Sequence, residues 1–519
     1  MKSYYLTTPL YYVNAAPHIG HAYTTVAGDI LARYQRLRGR KVHFLTGTDE
    51  HGAKIEAVAR EAGTDPKSYA DAVVVEFREL WAHLGITHDD FIRTTDPRHA
   101  RRVQAVFERL KATGDVYEGV YKGYYCRSDE TYFTETEAPP DEKGRRLCPN
   151  SDCRRPLELM EEASCFFRLS KYGPRLLEHY KAHPEFLQPP HRANEIVRFV
   201  EEGLRDLAVT RSKVAWGIPA PSVPGHVIYV WFDALQNYIT APGYNPPGLA
   251  AADASAPGAF ESAWPADVHL VGKEIYRFHT VIWPAMLMAL DLPLPKSVFA
   301  HGWWTVEGNK MSKSKGNIVD PRAVTAEYGV DAFRYFLFRE MPFGNDGNFS
   351  KESFQRRYNA ELANDLGNLL SRVTQMAEKY LGGKLPEKPV FERALFPSAL
   401  AGSAAVEASL ERLAFHEALD AVWALVRRLN EQVDREKPWE KAKSSPEVLP
   451  GLLYDLVACL RLIAVWIAPF MPLTADRMAE QLGLPLPLRW DDPVLRSGPD
   501  GAVVRKGEGL FPRKQAKTP

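Results

Sequence analysis

Cysteine is scarce, with five in 519 residues. That is too few for a disulfide scaffold of this length, and three of the five fall between Cys126 and Cys153. The distribution points to a reduced, cytoplasmic protein with a metal site in one short stretch. Neither sign of charge is in excess: Lys+Arg 65 against Asp+Glu 65 gives a formal net charge of +0. A nucleic-acid partner must then be met by local basic patches rather than by a global field. No basic region followed by an apolar core opens the chain, so a signal peptide is not expected. A long uninterrupted apolar run is missing too. The most apolar late stretch, 452–470, carries Asp455 and Arg461, and its Leu452, Leu456, Leu460, Ile463 and Ile467 recur at helical spacing. It reads as a buried bundle helix, not a membrane span. There is no internal repeat. What remains, 45% hydrophobic and 25% charged, is ordinary globular composition at a length that suggests about three to four domains.

The organising stretch is 4–21. An aromatic and β-branched run, Tyr4 to Val13, reads as a strand, and a turn with Pro17 leads to His18-Ile19-Gly20-His21. Helical periodicity follows at once (Ala22, Val26, Ile30, Tyr34, Leu37) and closes at Gly39. A second strand from Val42 runs into Gly47-Thr48-Asp49-Glu50-His51-Gly52. The result is a β-α-β unit with two imidazoles at a helix N-terminus, where unpaired N–H groups suit phosphate. Taken alone, the stretch is equally a buried helix start with two hydrogen-bonded histidines. Later alternation of strand (91–96, Val227–Ala234, 269–274, 299–304) and helix (65–84, 97–113, 276–290) argues a parallel, doubly wound sheet. Residues 117–165 read as short-stranded, loop-rich and inserted. Beyond about 355 the chain is predominantly helical; the stripe Phe415 to Val433 ends at Glu436-Lys437-Pro438-Trp439.

The second motif is Lys310-Met311-Ser312-Lys313-Ser314 on a Gly/Asn-flanked loop. Alone it is a solvated Lys/Ser loop; its ammonium groups also suit a polyphosphate. Together, His18–His21 after the first strand and Lys310–Ser314 after the last α/β strand resemble the class I aminoacyl-tRNA synthetases. Within that class, Pro9–His21, Leu45–Gly52, Tyr229–Tyr238, Val271–Leu287, Gly308–Pro321 and Asn364–Arg372 are similar to the methionyl-tRNA synthetases. Isoleucyl, valyl and leucyl enzymes share both signatures but carry an editing insertion for which 117–225 is too short. A catalytically dead tRNA-binding paralogue would have lost some of His18, His21, Asp49, Lys310 or Lys313, and all are present.

The resemblance implies an α/β, Rossmann-like fold: a doubly wound parallel sheet, a connective zinc-knuckle-type insertion and a C-terminal α-helical bundle domain. It implies boundaries at 1–116 (catalytic domain, first half), 117–208 (insertion, with the Cys-rich knuckle at 126–153), 209–300 (second half), 301–355 (connector bearing the Lys310 motif) and 356–519 (anticodon-binding domain and tail). Methionine, ATP with Mg2+, and tRNA(Met), initiator and elongator, are the implied partners. The implied reaction is activation of methionine to its adenylate, with release of pyrophosphate, followed by transfer to the terminal adenosine of tRNA. No membrane is involved, and a monomer is expected because no further dimerising domain follows the last bundle helix.

Residue by residue, Asp49 matches the aspartate that pairs with the α-amino group. Leu10 and Tyr12 match one edge of the methionine pocket, and Trp231, Ala234, Leu235, Tyr238, Ile275, Phe278 and His279 its apolar wall. Such a wall suits an adaptable, polarizable thioether. A methylene is worth only about 1–3 kcal/mol in such a pocket, so homocysteine is also activated, and the resemblance implies its removal as a thiolactone in the synthetic site. For ATP the matches are His18, Gly20, His21, Gly272, Glu274 (aspartate in many relatives), Lys310, Ser312, Lys313 and Lys315, with His18, His21, Lys310 and Lys313 catalytic. Cys126, Asp129, Cys148 and Cys153 sit between two family patterns, one metallated and one not, and form a candidate structural Zn2+ set. Asn364, Asn368 and Arg372, four apart, and Trp439 are the candidates for reading the anticodon. Bundle packing is the plainer role for Trp439.

Overall fold

In the computed structural model the structure describes residues 2–128, 131–133, 135–150, 153–310, 317–387, 395–491 and 498–515. The chain divides into two compact units. The first is Met1–Pro17, His43–Ala82 and His88–Ala300; the second is His18–Val42, His83–Thr87 and His301–Pro519.

The first unit is built on strands β1 (Tyr4–Tyr12), β2 (Val42–Asp49), β3 (Asp90–Arg93), β4 (Val116–Cys126), β5 (Thr131–Phe133), β6 (Glu158–Phe167), β7 (Leu187–Gln188), β8 (Leu207–Ala208), β9 (Thr210–Arg211), β10 (Val227–Ile228), β11 (Val268–Gly272) and β12 (Val298–His301). Six of them form one sheet in the order β3-β2-β1-β11-β12-β7. The pairs β2/β3, β1/β11 and β12/β7 are parallel. The strand order reverses between β1 and β11, and in open α/β sheets the crevice outside the strand ends at such a reversal is where ligands bind. The central strands β1, β2 and β11 are buried along most of their length (β11 at every residue) because both faces of a parallel sheet are covered. Gly47 is required by close approach: a Cβ there would lie 1.9 Å from the Ile92 carbonyl oxygen on β3.

Two readings of the sequence need correction. Residues 117–165 are not short-stranded: β4 and β6, eleven and ten residues, run antiparallel from Val116↔Phe167 to Tyr125↔Glu158, within a four-stranded sheet β5-β4-β6-β8. The expected strand Val227–Ala234 keeps its extended form only at β10; Val230–Ala234 is helical. Its aromatic, β-branched composition satisfies either form, and the tertiary setting decides.

The second unit contains α1 (Ile19–Leu37), the three-stranded sheet β14-β13-β15 (β13 Trp304–Val306, β14 Asn309–Lys310, β15 Gly347–Phe349) and the helices from Pro321 onward. One described helix, Pro446–Ile467, is long and apolar enough to cross a membrane, but it is mostly buried within the protein. Its charges are used internally. Asp455 accepts the N–H groups of Leu395 and Phe396, both at 2.9 Å, at the start of helix Phe396–Glu411. Arg461 donates to the carbonyls of Leu482 and Gly483. It is a core helix, as its spacing suggests. Helix Phe415–Glu436 ends at Lys437 in a left-handed conformation (φ 44°), and Pro438 then opens a new helix, Pro438–Ser444. Trp439 therefore sits in a first turn rather than at a helix end.

Candidate active site and anticodon-reading face

In the first unit, the carboxyl ends of β1, β2 and β11 supply Leu10, Tyr12, Asp49 and Gly272. The wall comes from the short helices Val230–Ala234 and Asn237–Thr240 and the stretch 275–279. Trp231 stacks on Phe278 with ring centroids 3.8 Å apart and planes 10° from parallel. Tyr12 meets Trp231 edge-on at 6.4 Å. Leu10, Tyr12, Trp231, Ile275 and Phe278 are half-buried against a core that includes Leu235 and Tyr238. Ala234, Leu235, Tyr238 and His279 are buried.

The polar groups behind this wall are ordered. His279 Nδ1 lies 2.9 Å from the Ile275 carbonyl and so carries the hydrogen; Nε2 then accepts from the Tyr238 hydroxyl at 2.8 Å. Burial lowers the His279 pKa to about 4, so the ring is neutral at physiological pH. Burial raises the Tyr238 pKa, and Asp49 adds to the rise, so the Asp49 charge is felt at the hydroxyl. Asp49 is itself buried, at 3% exposure, at the end of β2. Glu274 is exposed, in the turn Lys273–Ile275 that follows β11.

Residues the sequence did not single out hold the Asp49 segment. The Glu50 carboxylate takes a bidentate pair from Arg93 (2.6 and 2.8 Å) and hydroxyl bonds from Thr48 and Thr95. Asp233, fully buried, takes His51 Nδ1 on one oxygen and His99 Nε2 on the other, each at 2.7 Å. Gly52, at φ 106°, donates its N–H to the Trp216 carbonyl at 3.0 Å. The partners of Asp233 are 182 and 134 residues away along the chain. The string Glu50-His51-Gly52 was visible, but no local spacing reveals such pairs.

In the second unit, His18 caps α1. Its Nδ1 accepts the Gly20 N–H, and the His21 Nδ1 accepts the His18 N–H, both at 3.1 Å. These bonds place each ring hydrogen on Nε2. The rings lie 4.0 Å apart. Burial lowers the His18 pKa to about 4, and burial plus the neighbouring imidazole holds that of His21 well below its ordinary value. Both are neutral hydrogen-bond donors at neutral pH. The Ile19 N–H bonds the Val319 carbonyl at 3.1 Å, and Thr24 bonds His301 at 2.6 Å. The start of α1 is thus tied to residues flanking the Lys310 motif. Lys310 ends β14; Ser312, Lys313 and Lys315 lie outside the described residues, as does Asp129 of the knuckle.

The Sγ atoms of Cys126, Cys148 and Cys153 all lie within 4.8 Å of one another, with Cys126 and Cys153 at 3.5 Å. Tetrahedral zinc with bonds of about 2.3 Å places neighbouring sulfurs about 3.8 Å apart, so the three thiols fit one metal. Cys165 and Cys459 are buried, with thiol pKa values raised by burial. They are core residues.

Also in the second unit, Asn364 and Asn368 are exposed on the π-helical stretch Tyr358–Asn368, and Arg372 follows one turn on. Arg372 pairs with Asp434 at 2.8 Å and lies 5.6 Å over the Trp439 ring, which is 40% exposed. The indole and guanidinium thus lie side by side, a cation–π arrangement partly open to solvent.

A family model described as "tRNA synthetases class I (M)" matches residues 4–374. The methionine–tRNA ligase of Caldanaerobacter subterraneus subsp. tengcongensis is 50% identical over 518 residues, covering 99% of this chain and 79% of the relative. That of Bacillus subtilis is 46% identical, covering 99% and 78%. Among solved structures, Mycobacterium tuberculosis methionyl-tRNA synthetase in complex with methionyl-adenylate superposes with a TM-score of 0.92 at 39% identity, covering 99% of this chain and 100% of that one. A Rossmann-like sheet with its strand-order reversal, a histidine-capped first helix and a helical C-terminal region define a class I tRNA synthetase. Within that class, the chain belongs to the methionine–tRNA ligase family. It is accordingly an enzyme, an ATP-dependent ligase.

Proposed function

We propose that the pocket of the first unit binds L-methionine and that the enzyme converts it to methionyl-adenylate before charging tRNA(Met). The observation that carries this reading is the stacked Trp231–Phe278 wall beside the buried Tyr238–His279 pair, with Asp49 buried at the end of β2. Asp49 holds the α-ammonium group. Leu10, Tyr12, Ala234, Leu235 and Ile275 complete the apolar lining. The Tyr238 hydroxyl, whose hydrogen is committed to His279, offers oxygen lone pairs and so suits only weak contacts with a thioether.

ATP enters as its Mg2+ complex, with Gly20, Gly272 and Glu274 at the nucleotide. A methionine carboxylate oxygen attacks the α-phosphorus in line; the bond to the bridging β-phosphate oxygen breaks and pyrophosphate leaves. The Nε2–H groups of His18 and His21 donate to the charge that builds on the α-phosphate. Because both rings are neutral, they do so without repelling the bound Mg2+. Lys310, Lys313 and Lys315, with Ser312, hold the leaving pyrophosphate. No protein nucleophile is needed, since positioning and electrostatics supply the rate. In the second step a hydroxyl of the terminal ribose of tRNA attacks the activated carbonyl and AMP departs. Asn364, Asn368, Arg372 and Trp439 read the anticodon of initiator and elongator tRNA alike.

The functional division follows the boundaries 1–116 with 209–300 for catalysis, 117–208 for the insertion, 301–355 for the connector and 356–519 for anticodon binding. Cys126, Cys148 and Cys153, with Asp129 from the sequence as the fourth candidate, would hold a structural Zn2+, which would contribute folding energy when bound. Elemental analysis finds about one zinc per chain; a trace amount removes that assignment. All the proposed groups come from one chain, and a cytoplasmic monomer is the proposed form. ATP–pyrophosphate exchange across a panel of amino acids tests the whole reading. Methionine gives strong exchange; strong exchange with leucine or isoleucine and none with methionine overturns it.

A further inference from the structure

The Asp233 carboxylate hydrogen-bonds to His51 and His99, which makes it a buried junction of the segments that form the proposed methionine pocket. An ionised carboxylate is costly to bury unless both oxygens are satisfied. Here the nearby imidazoles hold the Asp233 pKa below its ordinary value despite burial. One oxygen meets His51 Nδ1, two residues after Asp49. The other meets His99 Nε2 on helix Pro97–Ala112. His99 Nδ1 in turn faces the Thr240 hydroxyl at 3.2 Å, on helix Asn237–Thr240, which carries Tyr238. Asp233 itself lies on helix Val230–Ala234, between Trp231 and Ala234. The His51 ring also packs edge-on against Trp216 at 5.4 Å, and Trp216 Nε1 donates to the Glu50 carbonyl at 2.5 Å. A single carboxylate therefore joins the end of β2, helix Pro97–Ala112 and both short helices of the aromatic wall.

We propose that Asp233, acting through His51 and His99, is a positioning residue that sets the separation between Asp49 and the Trp231–Tyr238 wall, and so the affinity for methionine. This rests on the methionine pocket proposed above. The carboxylate suits the task because it accepts from two rings at once. An amide in its place has one accepting oxygen, so its NH2 is matched only if the facing imidazole moves its hydrogen to the other ring nitrogen or its segment shifts; in both cases the charge that draws the two rings together is gone.

The test is ATP–pyrophosphate exchange with Asp233→Asn, reading methionine and ATP dependence separately. The expected result is a rise in KM for methionine of about tenfold or more, with KM for ATP within about twofold. A further pair guards against a general folding defect. His51→Asn retains a donor at the Nδ1 position and His51→Leu does not. The asparagine variant restores most of the methionine affinity that the leucine variant loses, measured on protein of matched melting temperature. If Asp233→Asn yields no folded protein, the His51 pair decides. Unchanged methionine KM, an equal rise for both substrates, or equal behaviour of His51→Asn and His51→Leu overturns the proposal. Asp49→Asn separates the two levels: if it too leaves methionine KM unchanged, the pocket itself is wrong. If it raises KM and the Asp233 and His51 variants do not, only the positioning role fails.

Discussion

The aromatic pocket of the first unit and the helix face of the second are built on opposite plans. In the pocket, the key polar side chains are buried and committed: Tyr238 to His279, His279 to a backbone carbonyl, Glu50 to Arg93, Asp233 to two histidines. On the helix face, Asn364, Asn368 and Trp439 are exposed, and Arg372 is held by a partly exposed ion pair with Asp434. In the proposed pocket a methylene is worth only about 1–3 kcal/mol, so selection there rests on how these committed groups are placed. On the proposed anticodon-reading face, an exposed ring and exposed amides suit stacking on and hydrogen bonding to unpaired bases. Substitutions in the pocket should therefore be costly at the first chemical step. Those on the face should be milder and confined to the second.

The largest effect expected is that of Asp49→Asn. Removing one partner of a desolvated charge pair costs about 2–5 kcal/mol, so kcat/KM for methionine in pyrophosphate exchange falls by that amount while ATP affinity is kept. A normal methionine KM would break the contrast from the pocket side. Next is Trp439→Ala, which forfeits a stacking contact worth about 1–3 kcal/mol. It lowers tRNA charging by a corresponding factor and leaves exchange intact. Asn364→Ala removes one exposed amide and costs about 0.5–1.5 kcal/mol in kcat/KM for tRNA alone; an effect on exchange would show that the helix face also supports the first step.

The smallest effect near neutrality is that of acid. Burial holds His18 and His279 at a pKa of about 4, and His21 and His269 below the ordinary value. In the unfolded chain these rings titrate near 6.5. Between pH 6.5 and about 4 the unfolded state therefore binds more protons, and stability falls as the pH is lowered through that window. Thermal melts from pH 7 down to pH 4 should show a steady loss of Tm. A Tm that rises on acidification would mean that these rings gain partners when protonated. Both units contribute histidines, so neither is spared.

How much was legible in the sequence differs between the same two regions. The strand–turn–helix around His18 and the end of β2 at Asp49 are local, and local periodicity and turn chemistry expose them. The spacing of Asn364, Asn368 and Arg372 on one helix face is also local. The helix Val230–Ala234 was hidden, because Val-Trp-Phe is at home in a strand and only the surrounding structure turns it. The β4/β6 ladder was hidden by the charged and loop-forming residues between its arms. Least legible was the Asp233 junction: its parts are ordinary residues in separate segments, and only the fold brings their atoms to hydrogen-bonding distance.

The contrast between the two regions stands or falls on one paired assay: pyrophosphate exchange and tRNA charging measured side by side on Trp231→Ala and Trp439→Ala. A fixed amino-acid pocket and a separate base-reading face predict loss of both activities for Trp231→Ala and loss of charging alone for Trp439→Ala. Parallel loss of both activities in Trp439→Ala would contradict it and make that indole a packing residue of the helical bundle.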